Sequence, residues 1–60
     1  ETDPRRWYMQ AILYSRAMDL NRAAQALQQC FGLDATYQLR MANDGDLSDD
    51  VKEAWEFTYN

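Results

Sequence analysis

The sequence predicts an all-α fold, a compact mini-bundle of three to four short helices. Apolar residues recur at spacings of three and four over most of the chain, as they do in amphipathic helices. Residues that commonly cap helices precede these apolar segments. The 60 residues are 47% hydrophobic and 13% aromatic, which supplies enough apolar material for one small core. We therefore expect a single helical domain over residues 1–60.

The first helix is predicted over residues 4–18. Asp3 suits the N-cap, and Pro4 suits the first helical position, where its missing N–H costs no hydrogen bond. Residues 7–14 are apolar at all but one position, so one neighbouring helix cannot cover this segment. We expect one face to pack on the core and a second face to lie beside it. The first face comprises Trp7, Tyr8, Ala11, Ile12, Ser15 and Met18, and the second comprises Met9, Leu13 and Arg16.

The second helix, capped by Asp19 or Asn21, has the clearest helical spacing in the chain. Its apolar face comprises Leu20, Ala23, Ala24, Leu27, Cys30 and Phe31. Because alanines let a neighbouring helix approach closely, we expect helices 1 and 2 to form an antiparallel hairpin. Gly32 is expected to take the left-handed conformation that often ends a helix, with Leu33 making the accompanying apolar contact.

Residues 33–41 fit two structures. Apolar and polar residues alternate from Leu33 to Met41, which is typical of a strand. Asp34 equally suits the cap of a short helix, whose one face would comprise Leu33, Tyr37, Arg40 and Met41. We favour the helix because a strand would find a mate only in residues 55–59. The alternative fold is α+β, with a short two-stranded pairing of residues 35–41 and 55–59.

Residues 43–46 have the composition of a turn, with Asp-Gly at its centre. A last helix should follow, capped by Asp46 or Ser48, with Asp49 and Asp50 at the positive end of the helix dipole. Its inward stripe comprises Leu47, Val51, Ala54, Trp55 and Thr58. The expected core of the whole domain comprises Trp7, Ile12, Leu20, Ala24, Leu27, Phe31, Leu33, Met41, Val51 and Trp55.

Charge is distributed unevenly along the chain. Residues 1–32 contain four arginines and three carboxylates, a net charge of +1, whereas residues 33–60 contain two cations and seven carboxylates, a net charge of −5. The acidic half repels phosphate backbones and anionic lipid surfaces, so we expect neither a nucleic-acid partner nor a membrane. Since the chain has one cysteine, a reducing compartment suits it, and we expect it in the cytoplasm.

The residue types needed for catalysis or for a metal centre are scarce. Cys30 is the only strong nucleophile, it lies on the apolar face of helix 2, and the chain contains no histidine to act as its base. One cysteine without histidine also excludes a structural zinc site within one chain. We therefore expect no enzyme, no catalytic residue and no cofactor.

One acidic segment has the spacing of the first ligands of a calcium loop. Its residues are Asp44, Asp46, Ser48 and Asp50. A loop of the EF-hand type requires glycine at its sixth position and glutamate at its twelfth, but those positions hold Asp49 and Trp55. We therefore interpret the segment as a solvated turn followed by an acidic helix start, and expect no metal ligand.

Residues 21–27 followed by residues 32–40 resemble a helix-turn-helix motif, in which a helix with small central residues precedes a glycine-containing turn and a recognition helix. The resemblance implies nucleic-acid binding, which is our alternative function. Four extra residues separate the two segments, and the recognition helix would have Arg40 as its one basic residue. The phosphate contacts would come from Arg5, Arg6, Arg16, Arg22 and Arg40.

The surplus of apolar surface on helix 1 favours a non-catalytic protein-protein interaction module, such as a small regulator, an inhibitor or a docking domain. Aromatic and methionine side chains and arginine are enriched in interfaces. The expected partner-binding residues are Met9, Leu13, Tyr14, Arg5 and Arg6, and the occupant would be a protein partner or a second copy in a homodimer.

Two further expectations concern charge. The first is that Arg5 and Arg6 form internal salt bridges, for which Glu53 and Glu56 are the candidate partners. The second is an alternative function in which the acidic half imitates DNA and inhibits a DNA-binding protein. Its surface would comprise Asp44, Asp46, Asp49, Asp50, Glu53 and Glu56.

Overall fold

The computed structural model describes residues 3–59, which form four α-helices and contain no strand. The helices are α1 (Pro4–Arg16), α2 (Leu20–Leu33), α3 (Tyr37–Asn43) and α4 (Asp49–Tyr59). The predicted all-α mini-bundle is confirmed, and the alternative pairing of residues 35–41 with 55–59 is wrong because residues 37–41 and 55–59 are helical and residues 35–36 form a turn. The described residues occupy 25 × 20 × 20 Å, and none of their helices has the length and apolarity needed to span a membrane.

α1 begins as predicted and ends two residues early. The Asp3 carboxylate accepts a hydrogen bond from the backbone N–H of Arg5 at 3.0 Å. The helix ends because Met18 is left-handed, with φ 62°. Its N–H donates to the carbonyl of Ser15 at 3.1 Å, and the N–H of Asp19 donates to the carbonyl of Tyr14 at 2.9 Å. This is the Schellman pair of bonds. Met18 is therefore 70% exposed, and its predicted place on the core face is wrong.

α2 begins at the predicted cap, where the carboxylate of Asp19 accepts from the N–H of Arg22 at 3.3 Å. Its predicted end is wrong, because the helix continues through Gly32 and neither glycine of the chain has a positive φ. The helix stops at Asp34, whose backbone is extended. Leu33 is consequently 44% exposed and outside the core.

The predicted cap of α3 at Asp34 is wrong, because the helix begins at Tyr37 and its N-cap position is Thr36, which makes no side-chain cap bond. The turn before α3 is organised by Asp34. Its side chain accepts hydrogen bonds from the N–H and the hydroxyl of Thr36, and its carbonyl accepts from the N–H of Tyr37 at 3.2 Å. Such local bonds offer the backbone an alternative to continuing α2. In a strand, Leu39 and Met41 would lie on the same face. Leu39 is 73% exposed and Met41 is 7% exposed, so the apolar alternation does not mark a buried face here.

α4 begins after the predicted turn. Ser48 is its cap, because its hydroxyl accepts from the N–H of Val51 at 3.3 Å. The predicted inward residues Val51 and Trp55 are buried. Thr58 is exposed, so its predicted inward position is wrong, and Phe57 is 94% exposed.

α2 is the centre of the bundle, since α1 and α4 both make their most extensive packing against it. Its three alanines at positions 23, 24 and 26 are buried, which lets both neighbours approach closely. The buried apolar residues are Tyr8, Ala11, Ala23, Ala24, Ala26, Leu27, Cys30, Phe31, Met41, Leu47, Val51 and Trp55. Six of the predicted core residues belong to this set, while Trp7, Ile12 and Leu20 are partly buried against it.

Trp55 fastens α4 to α2. Its ring packs edge-on against Phe31, with centroids 5.0 Å apart and an interplanar angle of 90°. Its indole N–H donates to the side-chain carbonyl of Gln28 at 3.1 Å. The bond to Gln28 therefore satisfies the indole N–H of Trp55, which is only 7% exposed, while the ring stays in the core.

Candidate protein-interaction site

The outward side of α1 exposes two large apolar side chains. Tyr8, Ala11 and Ser15 recur at helical spacing and are buried, which fixes the side of α1 that packs on the bundle. Met9 and Leu13 lie away from that side and are 64% and 58% exposed. Residues four apart are neighbours on a helix surface, so these two form one apolar patch.

Arginines surround this patch. Arg5 and Arg6 precede Met9 by about one turn, and Arg16 follows Leu13 by three residues. By helical geometry all of them fall within an arc of about 100°. The segment Pro4–Arg16 contains these three arginines and no carboxylate. We call this surface the α1 face, defined by Arg5, Arg6, Met9, Leu13 and Arg16.

Arg5 is paired with the cap of its own helix. Its guanidinium donates two hydrogen bonds to the Asp3 carboxylate, at 3.2 and 3.1 Å. These bonds lower the pKa of Asp3 and raise that of Arg5. The expected salt bridge from Arg5 to Glu53 or Glu56 is therefore wrong: the pair forms inside one helix start, where the cap already places a carboxylate within reach.

Tyr14 lies on a different surface from Met9 and Leu13. It is half-buried and lines a cavity between α1, α2 and the end of α4, together with Trp7, Gln25 and Tyr59. Successive residues of a helix are rotated by about 100°, which carries Tyr14 off the α1 face. The indole N–H of Trp7 is buried without a hydrogen-bond partner among the described residues.

A groove of about 300 Å³ runs between α1 and α3, beside the α1 face. In it the Tyr8 hydroxyl donates to the Asp44 carboxylate at 2.6 Å. The Tyr8 and Tyr37 rings lie 5.2 Å apart, and the Arg40 guanidinium lies 5.9 and 5.6 Å from their centroids. The residues lining the groove are Arg5, Tyr8, Met9, Ile12, Tyr37, Arg40, Asp44 and Asp46.

The electrostatics of the groove follow from these contacts. Burial and the bond to Asp44 raise the pKa of Tyr8, and the Tyr8 hydroxyl together with the backbone N–H of Asp46 lowers the pKa of Asp44. Arg40, the one basic residue of the recognition helix in the helix-turn-helix resemblance, lies beside both tyrosine rings of its own chain and stays exposed. The hydrogen bond and ring contacts in the groove therefore hold α3 against α1.

α4 carries a second outward surface, which is acidic. Phe57 is 94% exposed at the edge of a shallow depression. We call this surface the α4 face, defined by the residues lining the depression: Leu20, Asp50, Glu53, Ala54, Glu56 and Phe57. The sequence analysis named Asp50, Glu53 and Glu56 as part of an acidic surface, but it did not place Phe57 beside them because residues 57–60 carry no clear helical spacing beyond the Val51–Trp55 stripe. The available signal was that Asp50, Glu53 and Phe57 also recur at spacings of three and four.

The groups considered for chemistry are not assembled into a reactive centre. Cys30 is fully buried, and burial raises the pKa of its thiol to about 11, which disfavours the reactive thiolate. Among residues 3–59 no group of three or more His, Cys, Asp or Glu side chains is arranged to hold a metal ion. The carboxylate of Asp44 is directed to the Tyr8 hydroxyl and to the N–H of Asp46.

No protein-family model, curated protein or solved structure matches this chain.

Proposed function

We propose that this chain is a non-catalytic protein-interaction domain whose α1 face binds an acidic, partly apolar segment of a protein partner. The observation that carries the proposal is the combination of two exposed apolar side chains, Met9 and Leu13, with the arginines of a helix that has no carboxylate. A small regulator, an inhibitor or a docking domain would use such a surface. The single buried thiol suits a reducing compartment such as the cytoplasm.

The size of the patch sets the strength of binding. Fully burying a side chain of this size contributes about 1.5–3 kcal/mol, and a little over half of that remains available at Met9 and Leu13 because of their exposure. Association costs about 4 kcal/mol or more. Met9 and Leu13 therefore offset only part of the cost of association, so a complex also needs the apolar side chains that the partner itself buries, and the arginines supply orientation, selectivity and faster association with acidic partners. We expect the complex to weaken as salt rises.

A protein partner fits this surface better than nucleic acid or a lipid bilayer. The chain has a net charge of −4, and the carboxylates of α4 repel a polyanion that approaches the molecule. Retention on heparin at low salt, abolished by Arg16→Glu, would instead favour the nucleic-acid function. Two apolar side chains also offer little area for insertion into a membrane interface.

A symmetric homodimer of two α1 faces is disfavoured by charge. In an antiparallel twofold pairing centred on Met9 and Leu13, Arg5 and Arg6 of one copy approach Arg16 of the other. Like charges at close range oppose such a contact. An acidic surface is the better match.

The proposal is tested by titrating the ¹⁵N-labelled chain with a synthetic amphipathic helical peptide that has leucines on one face and flanking glutamates. We expect saturable shifts centred on Met9 and Leu13. Leu13→Asp should remove them, whereas Leu39→Asp, a matched change at a 73% exposed leucine of α3, should not. A peptide with lysine in place of glutamate is the control for charge. Equal binding of both peptides, or unchanged binding by Leu13→Asp, would contradict the proposal.

A further inference from the structure

The α4 face has the chemistry that the α1 face requires of a partner. Phe57 is almost fully exposed, and next to it lie Ala54 and Leu20 in the same depression. The carboxylates of Asp50, Glu53 and Glu56 also line it. It is therefore an acidic surface with an apolar centre, carried by this chain itself.

We propose that the α4 face of a second copy of this chain occupies the α1 face, so that the protein associates with itself head to tail. This inference rests on the proposed function and names the partner. Phe57 of one copy packs on Met9 and Leu13 of the next. The carboxylates beside Phe57 meet the arginines beside Met9.

Charge selects this pairing over the symmetric ones. α1 has three arginines and no carboxylate, and α4 has four carboxylates and one lysine. The net charges of the two helices are thus +3 and −3, or +2 for α1 when its cap Asp3 is included. Two α1 faces repel each other, as do two α4 faces, whereas an α1 face and an α4 face attract.

The fold requires that this contact form between molecules. α1 and α4 each pack mainly against α2, and the exposed side chains at the centre of each face, Met9 and Leu13 on α1 and Phe57 on α4, lie on separate helices. A contact between two different faces leaves one face of each kind free at the ends of a pair. Such a contact builds rings or open chains unless one face is blocked.

This property allows a complementation experiment with the full chain. Leu13→Asp blocks the α1 face, and Phe57→Asp blocks the α4 face. Both positions are exposed, and circular dichroism confirms that each variant folds. We expect each variant alone to sediment as a monomer, with a dissociation constant raised at least about tenfold. An equimolar mixture should form a heterodimer and nothing larger, because it retains one intact face of each kind.

The wild-type chain should show concentration-dependent oligomers larger than a dimer, and these should dissociate as salt rises. Leu39→Asp, which lies outside both faces, should associate like the wild type. The inference is overturned if the wild-type chain stays monomeric at high concentration. It is equally overturned if Phe57→Asp associates as strongly as the wild type, or if the mixture of the two blocked variants stays monomeric.

The same variants separate this inference from the proposed function. Phe57→Asp keeps an intact α1 face and should still bind the glutamate-flanked peptide. If the peptide binds while self-association is absent, the partner is another acidic protein and only the present inference fails. If neither the peptide nor a second copy binds the α1 face, both fail.

Discussion

Met18 has a backbone conformation that most residues with a side chain avoid. It is the only non-glycine residue between positions 3 and 59 with a positive φ, and it closes the Schellman pair of bonds at the end of α1. A left-handed residue with a Cβ costs about 1–2 kcal/mol. The side chain offers little in return, since it is 70% exposed.

Met18→Gly should therefore stabilise the chain. Glycine removes the backbone strain, but it also gives the unfolded chain more conformational freedom, which offsets part of the stabilisation. We expect the free energy of unfolding to rise by about 0.5–1 kcal/mol. Urea unfolding measures this change. Gln10→Gly, at an exposed position inside α1, is the control and should cost about 1 kcal/mol. A loss at Met18→Gly equal to that at Gln10→Gly would show that the left-handed turn carries no strain.

Ser15 links α1 to the start of α4. It is 5% exposed, and its hydroxyl oxygen accepts a hydrogen bond from the backbone N–H of Ser48 at 3.2 Å. The Ser48 hydroxyl in turn caps α4 at Val51. Helical spacing was sufficient to place Ser15 on the packed face. Its partner lies 33 residues away, and no local pattern identifies a pairing of that separation.

Ser15→Ala should destabilise the chain by about 1–2 kcal/mol, because the N–H of Ser48 loses its acceptor in a partly buried position. Ser48→Ala should cost about as much through loss of the cap. The two serines share one network, so the double variant should lose less than the sum of the two. Chemical denaturation of the wild type, the two single variants and the double variant measures this coupling. Simple additivity would show that the two bonds act independently.

At the scale of the helices, the beginnings of α1 and α2 were easier to predict than their endings. Asp3 and Asp19 are the caps that the sequence indicated. Caps of this kind can be predicted because the side chain bonds to a backbone N–H only two or three residues away. The end of α2 was predicted at Gly32 but depends on the competing bonds of Asp34 to Thr36. The end of α1 was set by Met18, a residue type that carries no signal for a left-handed turn.

The attachment of α3 to α1 should depend on pH. The pKa of Asp44 is lowered by the Tyr8 hydroxyl and by the N–H of Asp46. The hydrogen bonds to the Asp44 carboxylate therefore stabilise the folded chain above the ordinary aspartate pKa of 3.8. This stabilisation is lost as pH falls through the lowered pKa of Asp44 in the folded chain. The window lies at and below pH 3.8.

Tyr8→Phe should accordingly destabilise the chain at neutral pH, and the difference from the wild type should shrink as pH falls through that window. Thermal unfolding at a series of pH values measures it. Tyr37→Phe removes the hydroxyl of the neighbouring ring and is the control, with no such change expected. A Tyr8→Phe deficit that stays constant down to the most acid pH would contradict the role of the carboxylate.

At the scale of the whole molecule, α2 organises the bundle. The sequence marked helix 1 as the segment with the most apolar surface, and that surplus favoured a surface for a partner. Its excess is in fact directed outward at Met9 and Leu13, while the small residues of α2 make it the helix packed on two sides. The carboxylates of the α4 face were predicted as part of an acidic surface, but the exposed Phe57 at its centre was not, since that exposure depends on where α4 ends relative to α2.

Ala24→Leu should destabilise the bundle by about 1–3 kcal/mol, because Ala24 is 2% exposed and the added side chain must push a packed helix aside. Ala42→Leu, at an exposed alanine of α3, should change the free energy of unfolding by less than about 0.5 kcal/mol. Urea denaturation compares the two. Equal tolerance of leucine at both positions would mean that the packing around α2 is loose.

Labelling of the buried cysteine of α2 can measure the free energy of opening of this bundle. Cys30 has no exposed surface, so a disulfide reagent can reach its sulfur only when the bundle opens around α2. At reagent concentrations where reclosing outpaces labelling, the labelling rate reports the equilibrium population of the opened state. A mass shift of the intact chain then gives the opening free energy without denaturant. Oligomers that persist in a reductant contain no Cys30 disulfide and are therefore held by non-covalent contacts.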